Sequence, residues 1–262
     1  MSSTTRATAC AGRFYPSDPD ELQSTVRAYL AGESVTERTP RALIAPHAGY
    51  VYSGAVAGEA YREVKNPEPP IERVVLAGPS HFVGFEGVAA PSHDSFETPL
   101  GPMPVDRDAI DTLEQDDCVH IDDEPHEREH ALETHLPFIR ETIGDVPIVP
   151  LVTGDSDPDT LASCFERWDD PGTLVAVSSD LSHYLDYETA KEVDAETCRA
   201  IEQFQTEKLE RGTACGRTAI RALLTLAKHR TYDVKTLEMK NSGDTAGDRD
   251  RVVGYGAWVF AD

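Results

Sequence analysis

With 262 residues, 39% of them hydrophobic, the chain is long enough to bury a substantial core in one large domain. Its 47 acidic and 24 basic side chains leave a formal charge of −23, which excludes a general nucleic-acid partner, since phosphate binding needs clustered Lys and Arg. No run approaches the roughly 18 apolar residues of a membrane span, the first residues lack the apolar core of a secretory signal, and five cysteines without a CxxC form no disulfide framework; a cytoplasmic protein with no membrane partner is expected.

Acidic residues are scattered, as in "DDEPHEREH", "TGDSDPD" and "RWDD", and only 6 of the basic residues are Lys. Such a surface is expected of a halophile, because high salt screens the self-repulsion.

In chain order, "RALIA" (41–45) reads as a buried strand and 53–64 as a helix with Ser53 as its N-cap. A proline-rich loop, "VKNPEPPIE" (64–72), leads to the strand "RVVLAG" (73–78). The segment 87–103 breaks the pattern and predicts a hairpin or edge strand, followed by helices over 106–115 and 129–143. Strands at 146–152 and 173–179 flank a helix over 157–168. Helices over 186–204 and 216–229 precede strands at 232–239 and 251–260. Strands without alternation, separated by helices, belong to a sheet covered on both faces. The expected fold is a single α/β domain over 1–262, with a mixed, mostly parallel sheet and helices on both faces.

Three strands run into small residues and then a histidine: "ALIAPH" to His47, "VVLAGPSH" to His81 and "LVAVSSDLSH" to His183. Ligands of open α/β sheets bind beyond the carboxyl ends of the strands. If the three strands are parallel neighbours, the histidines converge on one rim, with Ser80, Ser178, Ser179 and Asp180 among them. Neutral imidazoles suit Zn, Fe, Cu or Ni, and two of them need a third ligand: Asp180, a glutamate or a cysteine. Cys215 stands at a helix start in "GTACGRTAIRALLTLAK", where free N–H groups favour the thiolate. Tyr50 and Tyr52 are expected to wall the pocket.

"HEREH" (126–130) matches the zincin signature H-E-x-x-H. Pro125 places His126 in a loop or a first helical turn, facing solvent, so that a zinc peptidase is the remote reading. In the following "EHALETHLPFI", His130 and Glu133 share a face at i, i+3 spacing, as a capping pair or as a wall of the site. Pro137 is expected to kink or end that helix.

Seven blocks in order carry a resemblance across nearly the whole chain: "CAGRFYP", "IAPHAGYVYSG", "AGPSHF", "EREHALETHLPF", "VSSDLSHY", "ACGRTAI" and "SGDTAGDRDRVVGYGA". They resemble the Memo family, whose prokaryotic members are grouped as protein B of the AmmeMemoRadiSam system. The resemblance implies a fold like that of the class III extradiol (LigB-like) dioxygenases. It implies a metal site at His47, His81 and Cys215 for iron or copper, with His183 as acid/base and Asp180 close by. Cys215 then stands where the ring-cleaving relatives have a carboxylate, and a thiolate is a softer ligand. The function so implied is a metal-dependent oxidoreductase of unassigned small-molecule substrate. The alternative is a non-catalytic module that binds a peptide or a radical-SAM pathway protein; the animal members are phosphotyrosine-binding adaptors, and Arg217 is the arginine near Cys215.

Overall fold

The structure is a computed structural model and describes residues 4–36, 38–168, 170–209 and 214–262; the stretch 210–213 leading into Cys215 lies outside them. The strands are β1 (Thr5–Arg6), β2 (Ala42–Ala45), β3 (Arg73–Pro79), β4 (Val88–Ala90), β5 (Ser95–Phe96), β6 (Met103–Pro104), β7 (His120–Ile121), β8 (Ile148–Thr153), β9 (Thr173–Ser178), β10 (His183–Leu185), β11 (Asp233–Asn241) and β12 (Val252–Ala261). The α-helices are α1 (Pro19–Tyr29), α2 (Tyr50–Arg62), α3 (Arg107–Gln115), α4 (Glu124–Glu127), α5 (Leu136–Thr142), α6 (Pro158–Arg167), α7 (Tyr187–Glu202), α8 (Thr206–Leu209) and α9 (Arg217–Arg230).

The main sheet runs β10-β12-β2-β9-β3-β8-β4-β7, with β11 also paired to β12. Its centre, β2-β9-β3-β8, is parallel throughout. β12 is antiparallel to β2 and β4 to β8, so the sheet is mixed. Every residue of β2, β8 and β9 is buried. Alternate side chains of a strand face opposite ways, so unbroken burial means that both faces are covered. That is why these strands read as apolar runs. α9 packs on β3 and β9 with α6 against it, while α2 packs on β2, β11 and β12 with α1 and α5 against it. One hydrophobic cluster extends from Cys10 to Phe260. The fold is a single α/β domain, as expected. The 87–103 segment supplies β4, antiparallel to β8, and β5, which pairs with β6 as a hairpin and with β1 in a second, three-stranded sheet.

Two helices start elsewhere than their periodicity predicts. α2 begins at Tyr50 with Gly49 as N-cap, and Ser53, inside the helix, donates its hydroxyl to Ala48 O. Residues 129–132 are not helical; a 3₁₀ turn at Glu133–His135 leads into α5. Pro137 lies in the first turn of α5, so it starts a helix rather than ending one.

Candidate metal centre

β2, β9 and β3 are adjacent and parallel, so their carboxyl ends share one rim. His47 follows β2 by two residues, His81 follows β3 by two and Asp180 follows β9 by two. His183 reaches the same place by another route: it opens β10, which pairs antiparallel with β12. The last approach is the start of α9. A Cβ on Gly216 would meet Ser178 O at 2.4 Å and Ser179 Cβ at 2.7 Å, so only glycine lets this turn bring Cys215 against the end of β9.

One nitrogen each from His47, His81 and His130 lies within 4.8 Å of the other two. Ring centroids are 5.1 Å apart for His47–His81, 5.4 Å for His47–His130 and 4.7 Å for the stacked His81–His130 pair. Cys215 Sγ is 3.4 Å from His47 Nε2, and Asp180 Oδ2 is 3.9 Å from it. Tetrahedral zinc–sulfur and zinc–nitrogen bond lengths give roughly 3.5 Å between two donors on one ion, so His47 and Cys215 stand at co-ligand spacing. Glu129 accepts from His81 Nδ1 at 2.9 Å and from the His81 backbone N–H at 2.7 Å, an orienting carboxylate behind the ring.

Charge agrees with a cation host. Burial, then the neighbouring imidazoles, holds His47 well below its ordinary pKa, and burial holds His130 at about 4. For His81 burial pulls down, but the hydrogen bond and charge of Glu129 prevail and raise it. Burial pushes Asp180 up to about 6 against the lowering hydrogen bond from the His47 N–H. His47 and His130 thus offer neutral nitrogen lone pairs, while His81, which Glu129 favours in its charged form, stands beside them with two carboxylates, Glu129 and Asp180.

The cleft over this cluster has a volume of about 560 Å³ and is lined by His47, His81, His130, Asp180 and His183. Phe14, Tyr52, Tyr184 and Tyr255 add aromatic walls, and Arg251 stands at the cleft with its guanidinium 5.1 Å over the Tyr184 ring. Tyr184 has φ 59°, the left-handed region that non-glycine residues seldom occupy, directly after His183.

Other sequence candidates fall elsewhere. Tyr50 is a core residue, its hydroxyl on Thr134 O and its ring against Phe138, while Tyr52 reaches the cleft. The earlier helix start explains why only one of the two tyrosines walls the cleft, since it turns 50, 53, 54 and 57 inward and 52 outward. Ser80 bonds its own loop at Val83 O. Arg217 is exposed in the first turn of α9. Glu133 is fully buried away from the cluster, where it pairs with Arg6 and accepts from Ala9 N, Cys10 N and Tyr15 OH. His126 is buried, not solvent-facing, with Nε2 3.1 Å from Ala89 O. Within "HEREH", therefore, His130 joins the cluster and Glu129 orients His81, whereas His126 and Glu127 are not among the donors. The helix start does not make Cys215 a thiolate: burial, then the Asp180 charge, pushes it up to about 12 over the lowering backbone hydrogen bonds.

Sequence reasoning missed His135, Glu129, Phe14, Tyr255 and Arg251. The last two lie in the final block, "RDRVVGYGA", where no local pattern points to the histidines.

The Memo-like protein family profile matches residues 6–259. A MEMO1 family protein of Methanosarcina barkeri is 34% identical over 97% of this chain and 99% of its own length. One from Thermotoga maritima is 35% identical over 95% and 97%, respectively. Among solved structures, the uncharacterized protein JW3007 of Escherichia coli K12 matches with a TM-score of 0.48 and 12% identity, over 83% of this chain and 99% of that one, too loosely to argue from. With a match over nearly its full length and relatives of equal length, the chain belongs to the Memo family.

Proposed function

We propose that the protein binds one redox-active metal ion, iron or copper, through His47, His81 and His130, with Cys215 adjoining His47, and uses it to oxidise or reduce a small molecule held in the cleft. The observation that carries this reading is the set of three imidazole nitrogens within 4.8 Å of one another at the floor of an open cleft. The donors fit such an ion: imidazole suits Fe and Cu, and a neighbouring sulfur moves preference away from Mg, Ca and Mn. His130 Nδ1 is buried and makes no hydrogen bond of good geometry, but it lies 3.2 Å from Glu129 Oε1, so the carboxylate that orients His81 also faces this ring.

The bound ion would supply one-electron chemistry and Lewis acidity at the cleft floor. The chain's own residues do the rest. Glu129 orients His81, and the aromatic walls exclude water from one side of a flat ligand. Asp180, with a carboxyl pushed up to about 6 by burial, exchanges a proton near neutrality, and His183 faces the same space.

The test is anaerobic titration of metal-free protein with Fe(II) or Cu(I). One equivalent should bind, and His47→Ala with His81→Ala should abolish it while far-UV circular dichroism persists. Unchanged binding in that double variant would overturn the reading.

A further inference from the structure

We infer that Ser178 sets the tautomer of His47, with the proton on Nδ1 and the Nε2 lone pair toward the cleft, and that His135 and Tyr61 hold Ser178 in that role. The inference deepens the metal reading above and rests on it for its purpose, though not for its geometry.

It follows from proton accounting at one hydroxyl. Ser178 Oγ has three partners: Ala131 O at 2.7 Å, His47 Nδ1 at 2.6 Å and His135 Nε2 at 2.9 Å. A serine hydroxyl donates once and accepts twice. A backbone carbonyl only accepts, so the one hydroxyl proton goes to Ala131. Both imidazole nitrogens must then donate to Ser178 Oγ. His47 therefore carries its proton on Nδ1, and Nε2, 3.4 Å from Cys215 Sγ, is left with its lone pair. These hydrogen bonds need no bound ion.

The rest of the chain is consistent. His135, protonated on Nε2 and held neutral by burial with its pKa down at about 3, has an accepting Nδ1, and Tyr61 OH lies 2.8 Å from it. The direction runs from Tyr61 to His135 to Ser178 to the Ala131 carbonyl, and His47 donates in at the side. Every N–H and O–H donor of the four side chains is used, and Tyr61, His135, Ser178 and His47 are all at most 1% exposed. The network is thus a clamp and not a proton outlet: its proton ends on a carbonyl.

Two of the three cluster histidines are consequently held by unlike partners. His81 is backed by a carboxylate and His47 by a neutral hydroxyl, so His81 is the more electron-rich donor. Ser178 is a positioning residue, acting on the ion through His47.

Long-range proton–nitrogen correlation spectra of the metal-free protein read the tautomers directly, with the His47 and His135 signals identified by their loss in His47→Gln and His135→Gln. His47 should show a pyrrole-type Nδ1 and a pyridine-type Nε2, and His135 the reverse. Ser178→Ala should release His47 to a mixture of tautomers and weaken Fe(II) affinity roughly 10–100-fold, the usual effect of losing an orienting partner. A protonated Nε2 on His47 in the wild-type protein overturns the inference, as does Ser178→Ala with tautomer and affinity unchanged. If Ser178→Ala fails to fold, the wild-type spectrum decides alone. A wild-type protein with the stated tautomers that takes up no Fe(II) or Cu(I) supports the inference and removes the metal reading.

Discussion

Glu129 accepts from His81 at both ends of the residue, at 2.9 Å from ring Nδ1 and at 2.7 Å from the backbone N–H. The same carboxylate accepts the N–H groups of His130 and Ala131, each at 2.9 Å. A single buried side chain thereby fixes a histidine after β3 and another 49 residues later, which is how a sheet rim and a loop come to share a cluster.

Glu129→Gln separates this role from mere charge. A carboxamide has one accepting oxygen, so its NH₂ group must face an N–H, and an unsatisfied buried donor costs about 1–3 kcal/mol. Urea denaturation should show that loss. Chelator competition should show metal affinity reduced roughly 10–100-fold. Wild-type affinity in Glu129→Gln would mean that His81 needs no orienting partner.

Gly216→Ala tests the approach of α9. Its Cβ would lie 2.4 Å from a backbone oxygen that cannot swing away, so the turn must move and Cys215 must leave His47. Overpacking of this kind costs about 1–3 kcal/mol. The melting temperature should fall, and Cys215 should react faster with a thiol reagent as it leaves its half-buried seat. An unchanged melting temperature and thiol rate would contradict the contact.

Asp194 gives a pH dependence away from the cluster. Burial pushes its carboxyl up to about 6 from 3.8, against lowering hydrogen bonds from the Ser182 N–H and hydroxyl. The folded state therefore holds this proton more tightly than the unfolded chain does. Stability from it is complete below pH 3.8 and is lost as pH rises through about 6. That displacement corresponds to about 3 kcal/mol. Asp194→Asn, which cannot ionise, should show a flatter stability profile between those two pH values; parallel profiles for variant and wild type would refute the assignment.

Arg6 and Glu133 form a buried pair, 3% and 0% exposed, that ties the N-terminal segment to the 3₁₀ turn before α5. Breaking one side of a buried pair costs about 3–5 kcal/mol. Arg6→Ala should lose that much in chemical denaturation, yet folded protein should keep wild-type metal stoichiometry. A variant that loses metal but not stability would return Glu133 to the site.

The parallel core was legible because its strands are buried on both faces and so read as continuous apolar runs. Three of those runs pass into small residues and histidines, and that pattern located the rim. What escaped was contact across long separations. His135 and Glu129 act on residues 43 and 48 positions away, and no local periodicity reports such pairs. His130 was placed on a helix because apolar spacing continues through 129–143, whereas the chain there first bends around Glu129, whose carboxylate takes the N–H groups that a helix would have used. Tyr50 lies in the core and not beside Tyr52 on the cleft wall for a smaller reason, a helix that begins three residues before Ser53.

The central claim is that the rim histidines hold an ion, and elemental analysis of untagged protein tests it most directly. Wild-type protein purified from metal-replete cells should carry close to one iron or copper per chain, and His47→Ala protein, folded by circular dichroism, close to none. Equal metal content in the two proteins, or a wild-type protein without metal after anaerobic reconstitution, would contradict the account.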